Sequence, residues 1–489
     1  MRDDATFRLL LAGLAIAWLL AAAMALVSAT NAHPDEIFHL GAGRWYLAHW
    51  LPPRMTEADL LPSLSAYGYT YLGEVDVSYF LAGRLARLLS FAVPDETLCC
   101  RVFNLALFAG LVARYALLRE VFSPLVVLLL TPQVWYVFSY FNNDAFPLVV
   151  SLLLADRLFG ARAPVGAALT GPWRAASLRS LAVTGGLLGL LALTKPNYLP
   201  VLGFVGFIAV WRGFGIAAAA LAVACAGVQL AQSRGFVSLP PRGVSVFLGA
   251  GGVALTALIA TRLLRVPATR GVLARAALVG LATLAVAAPP LAYDRVVNGP
   301  SNEKNGALSA IAEQHAKPEY RPSDAANADS FFGLRLRDKG VTLVQVLLPP
   351  WSWATKSWNS FAGWYGYMTI KSPNAYYIAL FAADALLALT VAGSILLRGT
   401  PADRRLLAIV TGFCSGTVAI SLYHSWVNDF QAQGRYLFPA LALAAIPFTR
   451  GAALANGRIV RGLLATAFAL SVFSFGYIGL LRIAKAAAP

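Results

Sequence analysis

Four polar clusters interrupt an apolar chain, and the first contains the residue types that acid–base chemistry requires. It comprises Asn31, His33, Asp35, Glu36 and His39. Adjacent carboxylates beside imidazoles can supply a general base or hold a divalent cation such as Mg²⁺ or Mn²⁺. The same residues also fit a helix start, because Asn and Asp cap helices and Glu is favoured in the first turn. The pattern alone leaves both interpretations open.

The other three clusters add amides, a carboxylate and two cations. They are Asn142, Asn143 and Asp144; Lys195; and a run that ends in Gln433, Gly434, Arg435 and Tyr436. Arginine presents a planar fork of donors to phosphate oxygens, and a lysine at a membrane edge can hold a phosphate. The structural alternatives are helix capping by Asn and Asp, a snorkelling Lys195, and an ion pair of Arg435 with Asp429 or with a carboxylate of the first cluster.

Membrane-spanning helices must position these clusters. Of the 489 residues, 58% are hydrophobic and only 13% are charged, whereas soluble domains carry about 25% charged residues. Apolar stretches of about 20 residues, the length of one crossing, recur along the chain. The pattern predicts an all-α polytopic membrane protein of about thirteen crossings. They cover about residues 8–28, 101–118, 121–140, 145–160, 181–193, 198–211, 214–232, 243–262, 273–291, 374–397, 405–423, 436–448 and 461–481.

The net charge of +16 is explained by topology. Basic residues fall in short clusters between the apolar segments, as expected of cytoplasmic loops that face an anionic leaflet. Arg162, Arg174, Arg398 and Arg450 are examples. A basic stripe or stacking module typical of nucleic-acid binding is missing from the sequence, so we expect no nucleic-acid partner. The apolar run that follows Arg8 is expected to be an uncleaved first helix, because further spans follow it.

Residues 1–489 are predicted to form a single transmembrane domain. Under this topology two of its long segments lie on the outer side of the membrane. The first, 29–98, contains amphipathic stretches at 37–50 and 77–91, which are typical of helices lying in the membrane interface. The second, 293–373, begins polar and becomes aromatic where the chain returns to the membrane. All four polar clusters fall on this outer side, so they are predicted to share a site.

The clusters, in this order, resemble motifs of the GT-C superfamily of membrane glycosyltransferases, which contains the protein O-mannosyltransferases and the aminoarabinose transferases. The likeness is greatest to a bacterial branch of predicted membrane proteins. The matching segments are His33-Pro34-Asp35-Glu36 with His39, Asn142-Asn143-Asp144, Thr194-Lys195-Pro196, Gln433-Gly434-Arg435-Tyr436, and residues 356–365 with Trp364. Together they cover most of the chain, although each motif is short.

The resemblance implies a GT-C-like helix bundle in the cytoplasmic membrane whose active site faces the periplasm or exterior. It also implies inverting transfer of a sugar from a polyprenyl-phosphate donor to a glycan, lipid or protein acceptor. Asp35 would be the general base, with its neighbour Glu36 as the alternative working carboxylate, and Arg435 and Lys195 would bind the donor phosphate. The remaining motif residues would shape the substrate site: His33, His39, Asn142, Asn143, Asp144, Gln433, Tyr436 and Trp364.

Three alternatives stay open. A transporter or lipid-linked sugar flippase could use the same charges to line a path, although transporters concentrate them in broken helices at the bilayer midplane. A non-catalytic scaffold of an envelope complex would leave the acidic cluster without chemistry. A metal-assisted transferase would ligate Mg²⁺ or Mn²⁺ through the first cluster, but its spacing matches no specific metal motif.

Overall fold

The computed structural model describes residues 2–160, 175–233, 241–265, 268–325, 327 and 330–487, and they are nearly all helical. Seven of the described helices are long and apolar enough to cross a membrane. They are Asp4–Val27, Glu96–Leu118, Leu273–Asn298, Asn374–Arg398, Pro401–Val427, Gly434–Leu454 and Gly457–Ala486. Four shorter apolar helices accompany them, at Leu178–Ala192, Pro196–Trp211, Ile216–Ala226 and Ala250–Arg262. The chain is an all-α, membrane-embedded protein; the number thirteen stays a prediction, and Arg162 and Arg174 lie outside the described residues.

The α-helices follow the predicted apolar segments closely, except at the positions discussed below. They are α1 Arg2–Val27, α2 Glu36–Ala48, α3 Val77–Leu89, α4 Glu96–Leu118, α5 Pro132–Ser139, α6 Ala145–Phe159, α7 Ala175–Ala192, α8 Leu199–Phe214, α9 Ile216–Ser233, α10 Pro241–Arg265, α11 Ala268–Asn298, α12 Ser301–His315, α13 Trp353–Phe361, α14 Asn374–Arg398, α15 Pro401–Val427, α16 Phe438–Leu454 and α17 Gly457–Val472. A π-helix, Phe473–Leu480, and a last helix, Leu481–Ala487, continue α17.

Short elements connect these helices. They are single helical turns at Glu57–Leu60 and Leu343–Leu347, and 3₁₀ turns at Leu61–Ser63, Tyr71–Gly73, Pro124–Leu129, Pro196–Tyr198, Pro318–Tyr320 and Gly434–Leu437. Two strands, β1 Trp364–Tyr365 and β2 Ile370–Lys371, pair antiparallel. The register sets Trp364 opposite Lys371.

The prediction of a single helix at 121–140 is wrong. The structure has the 3₁₀ turn Pro124–Leu129 followed by α5, which begins at Pro132. Each proline occupies the first position of its element, where its missing N–H costs nothing. The hydroxyl groups of Ser123 and Thr131 cap the two starts by accepting backbone N–H groups. The apolar composition was correct, but two helix starts lie where one was predicted.

The chain forms two compact units. The first comprises residues 1–156, 193–197 and 288–489, and it contains every residue of the four polar clusters. Within it α1 packs on α4 and α5, α2 packs on α3, and α16 packs on both α14 and α15. Apolar residues of α14 and α17 form part of its core, where Leu380 and Ala467 are fully buried.

The second unit comprises residues 157–192 and 198–287. In it α8 packs on α7 and α9, and α9 packs on α10. Its helices α7 and α11 approach closely at Gly185, where an added Cβ would lie 2.5 Å from the carbonyl oxygen of Val279. The Thr283 hydroxyl donates to the Gly185 carbonyl at 3.1 Å across the same contact. Small residues are what permit such close helix contacts in membrane proteins.

The first predicted outer segment contains two helices where amphipathic stretches were predicted. The stretches at 37–50 and 77–91 correspond to α2 and α3. The second segment begins six residues later than expected, because α11 extends to Asn298. Between α12 and α13 the chain pairs with the end of α15: Arg335 N–H donates to the Asn428 carbonyl at 2.7 Å, and Phe430 N–H donates to the Gly333 carbonyl at 2.9 Å. This pairing holds residues 428–430 against the second segment.

Gly434 permits another close contact, between the 3₁₀ turn that carries Arg435 and helix α13. An added Cβ at Gly434 would lie 2.2 Å from the backbone nitrogen and the Cα of Phe361. The Gly434 N–H also donates to the Ser360 hydroxyl at 3.1 Å. Only glycine fits here, and Arg435 takes its position from this contact.

We therefore expect Gly434→Ala to lower the unfolding free energy by about 3 kcal/mol, the upper part of the range for overpacking, because the obstacle is backbone. Thermal unfolding of purified protein in detergent measures it. Gly416→Ala is the matched control, since the space around that Cβ is open. An equal melting temperature for the two variants would contradict the close contact.

Candidate functional site

Asp35 is the accessible carboxylate of the first cluster. It precedes α2 with φ 60° and ψ 6°, in the left-handed region. This conformation is uncommon for a residue other than glycine, and strained backbone is frequent at functional sites. Its side chain is 35% exposed, and one carboxylate oxygen lies 3.3 Å from an Nη atom of Arg435. Asp35 is thus held beside a cation while it stays open to a ligand.

Glu36 has the opposite environment. Its carboxylate is fully buried and accepts two hydrogen bonds from Arg101, at 2.8 and 2.7 Å. The backbone N–H groups of Asn31 and Phe141 each donate to one of its oxygens as well. Because both oxygens already accept two donors, the carboxylate has little capacity left for a substrate. The structure separates two neighbours that the sequence left equivalent.

Arg435 and Lys195 meet around Asp144. Lys195 Nζ lies 2.9 Å from one oxygen of the Asp144 carboxylate, and Arg435 Nη1 lies 3.6 Å from the other. Asp144 is fully buried, Arg435 is nearly so, and the Lys195 side chain is 17% exposed. The four charges therefore run Asp35, Arg435, Asp144, Lys195, so the separated cations are neighbours in the fold.

Tyr436 lies beside both cations. The Lys195 ammonium is 4.8 Å from its ring centre, and the Arg435 guanidinium is 5.6 Å away. Its hydroxyl donates to Gln431, whose amide group donates to Asp429 at 2.7 Å. The aromatic face attracts the cations, and the hydroxyl connects them to a second carboxylate.

Asn142 and Asn143 have structural partners. The Asn142 amide oxygen accepts the backbone N–H groups of Asp144 and Ala145 at the start of α6, which is the helix-capping alternative. The Asn143 amide group donates to Asp76 at 2.9 Å, and Asp76 itself caps α3 by accepting the Ser78 N–H. Both residues brace the elements around the site.

The two histidines are buried beside tyrosines. His33 Nδ1 shares a hydrogen bond of 2.9 Å with the Tyr136 hydroxyl, and its ring stacks on Tyr140. Burial, and then the charge of Arg101, lower the pKa of His33 well below its usual value, so its imidazole is neutral. Tyr140 in turn accepts a long hydrogen bond of 3.5 Å from Arg435. His33 thus supports the aromatic wall behind that cation.

His39 repeats the arrangement on α2. Its Nδ1 shares a hydrogen bond of 2.7 Å with the Tyr79 hydroxyl, and its ring stacks on Tyr71 at 4.2 Å. Burial lowers the pKa of His39, and the charges of Arg435 and Lys195 lower it further. Among the described residues its Nε2 has no hydrogen-bond partner. A neutral imidazole therefore lies near both cations.

Asp35 opens into a cavity of about 400 Å³, within the range of small-molecule sites. Polar and aromatic side chains from both predicted outer segments and from the residues that follow α15 line it: Asp35, Ser65, Tyr67, Tyr69, Thr70, Tyr71, Phe331, Tyr367, Asp429, Phe430, Gln431 and Gln433, with Pro34 and Met368. Burial raises the pKa of Asp429, and the neighbouring charge of Asp35 raises it further. Two carboxylates therefore face one space.

Asp35 and Gln433 are the predicted site residues that line this cavity in the described part of the chain, and Trp364 is among those that do not. It lies on β1, where its ring faces the Lys371 ammonium at 4.5 Å, and it does not line the cavity. The adjacent Tyr365 is fully buried and shares a hydrogen bond of 2.9 Å with Ser474. This segment contributes to the core behind the site.

The first cluster does not fit a divalent cation. Within the described part of the chain, no three His, Cys, Asp or Glu side chains converge as metal ligands would. Both oxygens of Glu36 are already occupied by Arg101 and by two backbone N–H groups, which leaves Asp35 as the open carboxylate of this cluster.

Sequence reasoning missed Arg101 and the tyrosines. Arg101 is 3% exposed and also donates to the carbonyl groups of Ala25, Ser28 and Ala29. A single arginine at the start of an apolar helix was a usable signal, because a charge there needs a partner. The cavity tyrosines carry no such signal, since aromatic residues are common at membrane interfaces.

Comparisons with protein-family models, curated proteins and solved structures gave no match.

Proposed function

We propose that this protein is an inverting glycosyltransferase that moves a sugar from a polyprenyl-phosphate donor to a hydroxyl-bearing acceptor. The single observation that carries the proposal is the 3.3 Å contact between the buried Arg435 and Asp35, a carboxylate that lines the cavity. The carboxylate can accept the proton of an acceptor hydroxyl, and the buried cation can stabilise a departing phosphate. The GT-C resemblance of the motifs points to the same chemistry.

Asp35 acts as the general base. It accepts the proton of the acceptor hydroxyl as that oxygen bonds to the anomeric carbon from the face opposite the phosphate. The bond from the anomeric carbon to the phosphate oxygen breaks, and polyprenyl phosphate leaves with the electron pair. One bond forms, one breaks, and the sugar carbon inverts.

Arg435 and Lys195 bind the phosphate and stabilise its growing charge. Arg435 Nε is buried without a hydrogen-bond partner in the described part of the chain, so it remains able to donate. As the phosphate engages the guanidinium, it competes with Asp35 for that cation. Asp35 is then released from its ion pair when the donor is bound and can accept the proton of the acceptor hydroxyl.

We propose that the transferase lies in the cytoplasmic membrane with its cavity on the outer side. Support comes from the distribution of Lys and Arg between apolar segments and from the apolar helices around the cluster. A polyprenyl chain would lie against such helices, and its phosphate would lie at their polar ends. The acceptor is a glycan, a lipid or a protein.

The proposal is tested on purified protein in lipid vesicles that contain polyprenyl-phosphate sugars. We expect consumption of the donor and release of polyprenyl phosphate, followed by mass spectrometry. Donor that crosses the bilayer without cleavage would support a flippase and overturn the transferase. A folded protein that neither cleaves nor moves any donor would support the scaffold alternative.

We expect Arg435→Gln and Lys195→Gln each to raise the donor KM by about 10–100-fold, since each removes a charged hydrogen bond to the phosphate. Initial rates at varied donor concentration measure this. Lys317→Gln, an exposed lysine of the second outer segment, is the control and keeps the wild-type KM.

Each single variant also removes a cation from Asp144, so loss of folding has to be separated from loss of binding. The double variant Lys195→Gln/Asp144→Asn removes both charges of that 2.9 Å pair. It should fold and still show the raised KM. A wild-type KM in the double variant would contradict the phosphate role of Lys195.

A further inference from the structure

The cavity wall has a one-sided charge. Among the described residues that line it, none is Lys, Arg or His, and two are carboxylates. Arg435 balances Asp35 from behind, but the nearest partner of Asp429 is the neutral amide of Gln431 at 2.7 Å. The wall that a ligand meets is therefore neutral to negative.

The raised pKa of Asp429 reflects the same negative charge at the cavity wall. Burial is its first cause and the charge of Asp35 adds to it, whereas the hydrogen bond from Gln431 opposes the shift. A site where one carboxylate already disfavours ionisation of another disfavours a third anion as well. A carboxylated or phosphorylated ligand would meet this repulsion without a cation on the wall to offset it.

The rest of the wall suits a ligand with many hydroxyl groups. Tyrosine rings provide flat apolar faces with polar tips, and glutamine amides provide both donors and acceptors. The Tyr67 ring packs at an angle against Tyr320 with ring centres 4.3 Å apart, and Tyr320 in turn contacts Phe331 at 5.2 Å, so this part of the wall is braced. Such a surface recognises the faces and hydroxyl edges of a sugar ring.

We propose, resting on the proposed function, that the donor sugar carries no anionic substituent, and that Asp429 is the residue that enforces this specificity. Asp429 accepts a hydrogen bond from a hydroxyl group of a neutral or amino sugar, and it repels the carboxylate of a uronic acid. Pairing with the main chain of the second outer segment at Leu334 fixes its position. The phosphate of the donor lies apart from this wall, at Arg435 and Lys195.

The test uses matched donors that differ only at C6: polyprenyl-phosphate hexoses and the corresponding hexuronic acids, in gluco, galacto and manno configurations. In the configuration used best, we expect the hexose kcat/KM to exceed that of its uronic acid by on the order of 100-fold, the scale of like-charge repulsion in a partly buried site. Asp429→Asn should narrow that ratio by about tenfold, because it removes one anion and keeps a hydrogen-bonding group.

Glu319→Gln is the matched control, since it removes an exposed carboxylate of the same outer segment that does not line the cavity. It should leave the ratio unchanged. Equal use of hexose and uronic acid by the wild type would overturn the specificity inference and leave the transferase intact. Cleavage of no donor at all by folded protein would instead overturn the transferase. An unchanged ratio in Asp429→Asn would remove Asp429 from the specificity role.

Discussion

Asp35→Asn is expected to lower the rate of sugar transfer by about 10³-fold, within the range that a positioned general base contributes. Asparagine has the size of aspartate but cannot accept the acceptor proton. The measurement is single-turnover transfer from a labelled donor at saturating concentration, so that the chemical step is observed. Donor binding should change little, because the phosphate is held by Arg435 and Lys195.

The fold of the Asp35→Asn variant should be close to that of the wild type. The Asp35 side chain is 35% exposed, and the buried Arg435 keeps a second carboxylate partner, Asp144 at 3.6 Å, when Asp35 is neutralised. Glu74→Gln is the control, because it neutralises an exposed carboxylate of the same outer segment and should keep full activity. Retention of more than about a tenth of the wild-type rate by Asp35→Asn would exclude the general-base role.

The order of helices could be predicted because apolar length is a local property. Each crossing requires its own run of about 20 apolar residues, and the sequence displays those runs directly. The failure at 121–140 is also local in origin: Pro124 and Pro132 each start a new element, although the composition stays apolar across both. The positions of the two prolines indicate the break between the elements, whereas the hydropathy pattern does not.

The meeting of the polar clusters was expected from their order and predicted side. The structure brings Asp35, Arg435, Asp144 and Lys195 into one chain of contacts. The difference between Asp35 and Glu36 could not be predicted. It depends on Arg101, which lies 65 residues from Glu36 along the chain. Which distant cation reaches which carboxylate is decided by helix packing, which no local pattern encodes.

The residues that line the cavity were even harder to predict from the sequence than the ion pairs. The cavity wall combines residues of the two predicted outer segments with residues that follow α15, and backbone pairing such as Leu334 with Asp429 holds them together. From the sequence, Asp429 was expected only as an ion-pair partner of Arg435. In the structure Arg435 instead pairs with Asp35 and Asp144, and Asp429 faces the cavity beside Gln431.

Glu36→Gln is expected to lower the unfolding free energy by about 3–5 kcal/mol, because it leaves the Arg101 charge buried without its partner. The side chains are 0% and 3% exposed, and their N–O distance is 2.7 Å. Chemical unfolding in detergent measures the loss. Arg44→Gln is the matched control: it breaks an ion pair of the same 2.7 Å distance whose side chains are 49% and 47% exposed, and it should cost no more than about 1 kcal/mol.

The double variant Glu36→Gln/Arg101→Gln decides between a structural and a catalytic Glu36. Removing both charges leaves no unpaired ion in the core, so stability should recover in part. Asp35 is unchanged in this variant, and the recovered protein should transfer sugar again. If Glu36 were the base, the double variant would stay inactive however well it folded. Activity and unfolding, measured on the same two variants, therefore assign adjacent carboxylates to separate tasks.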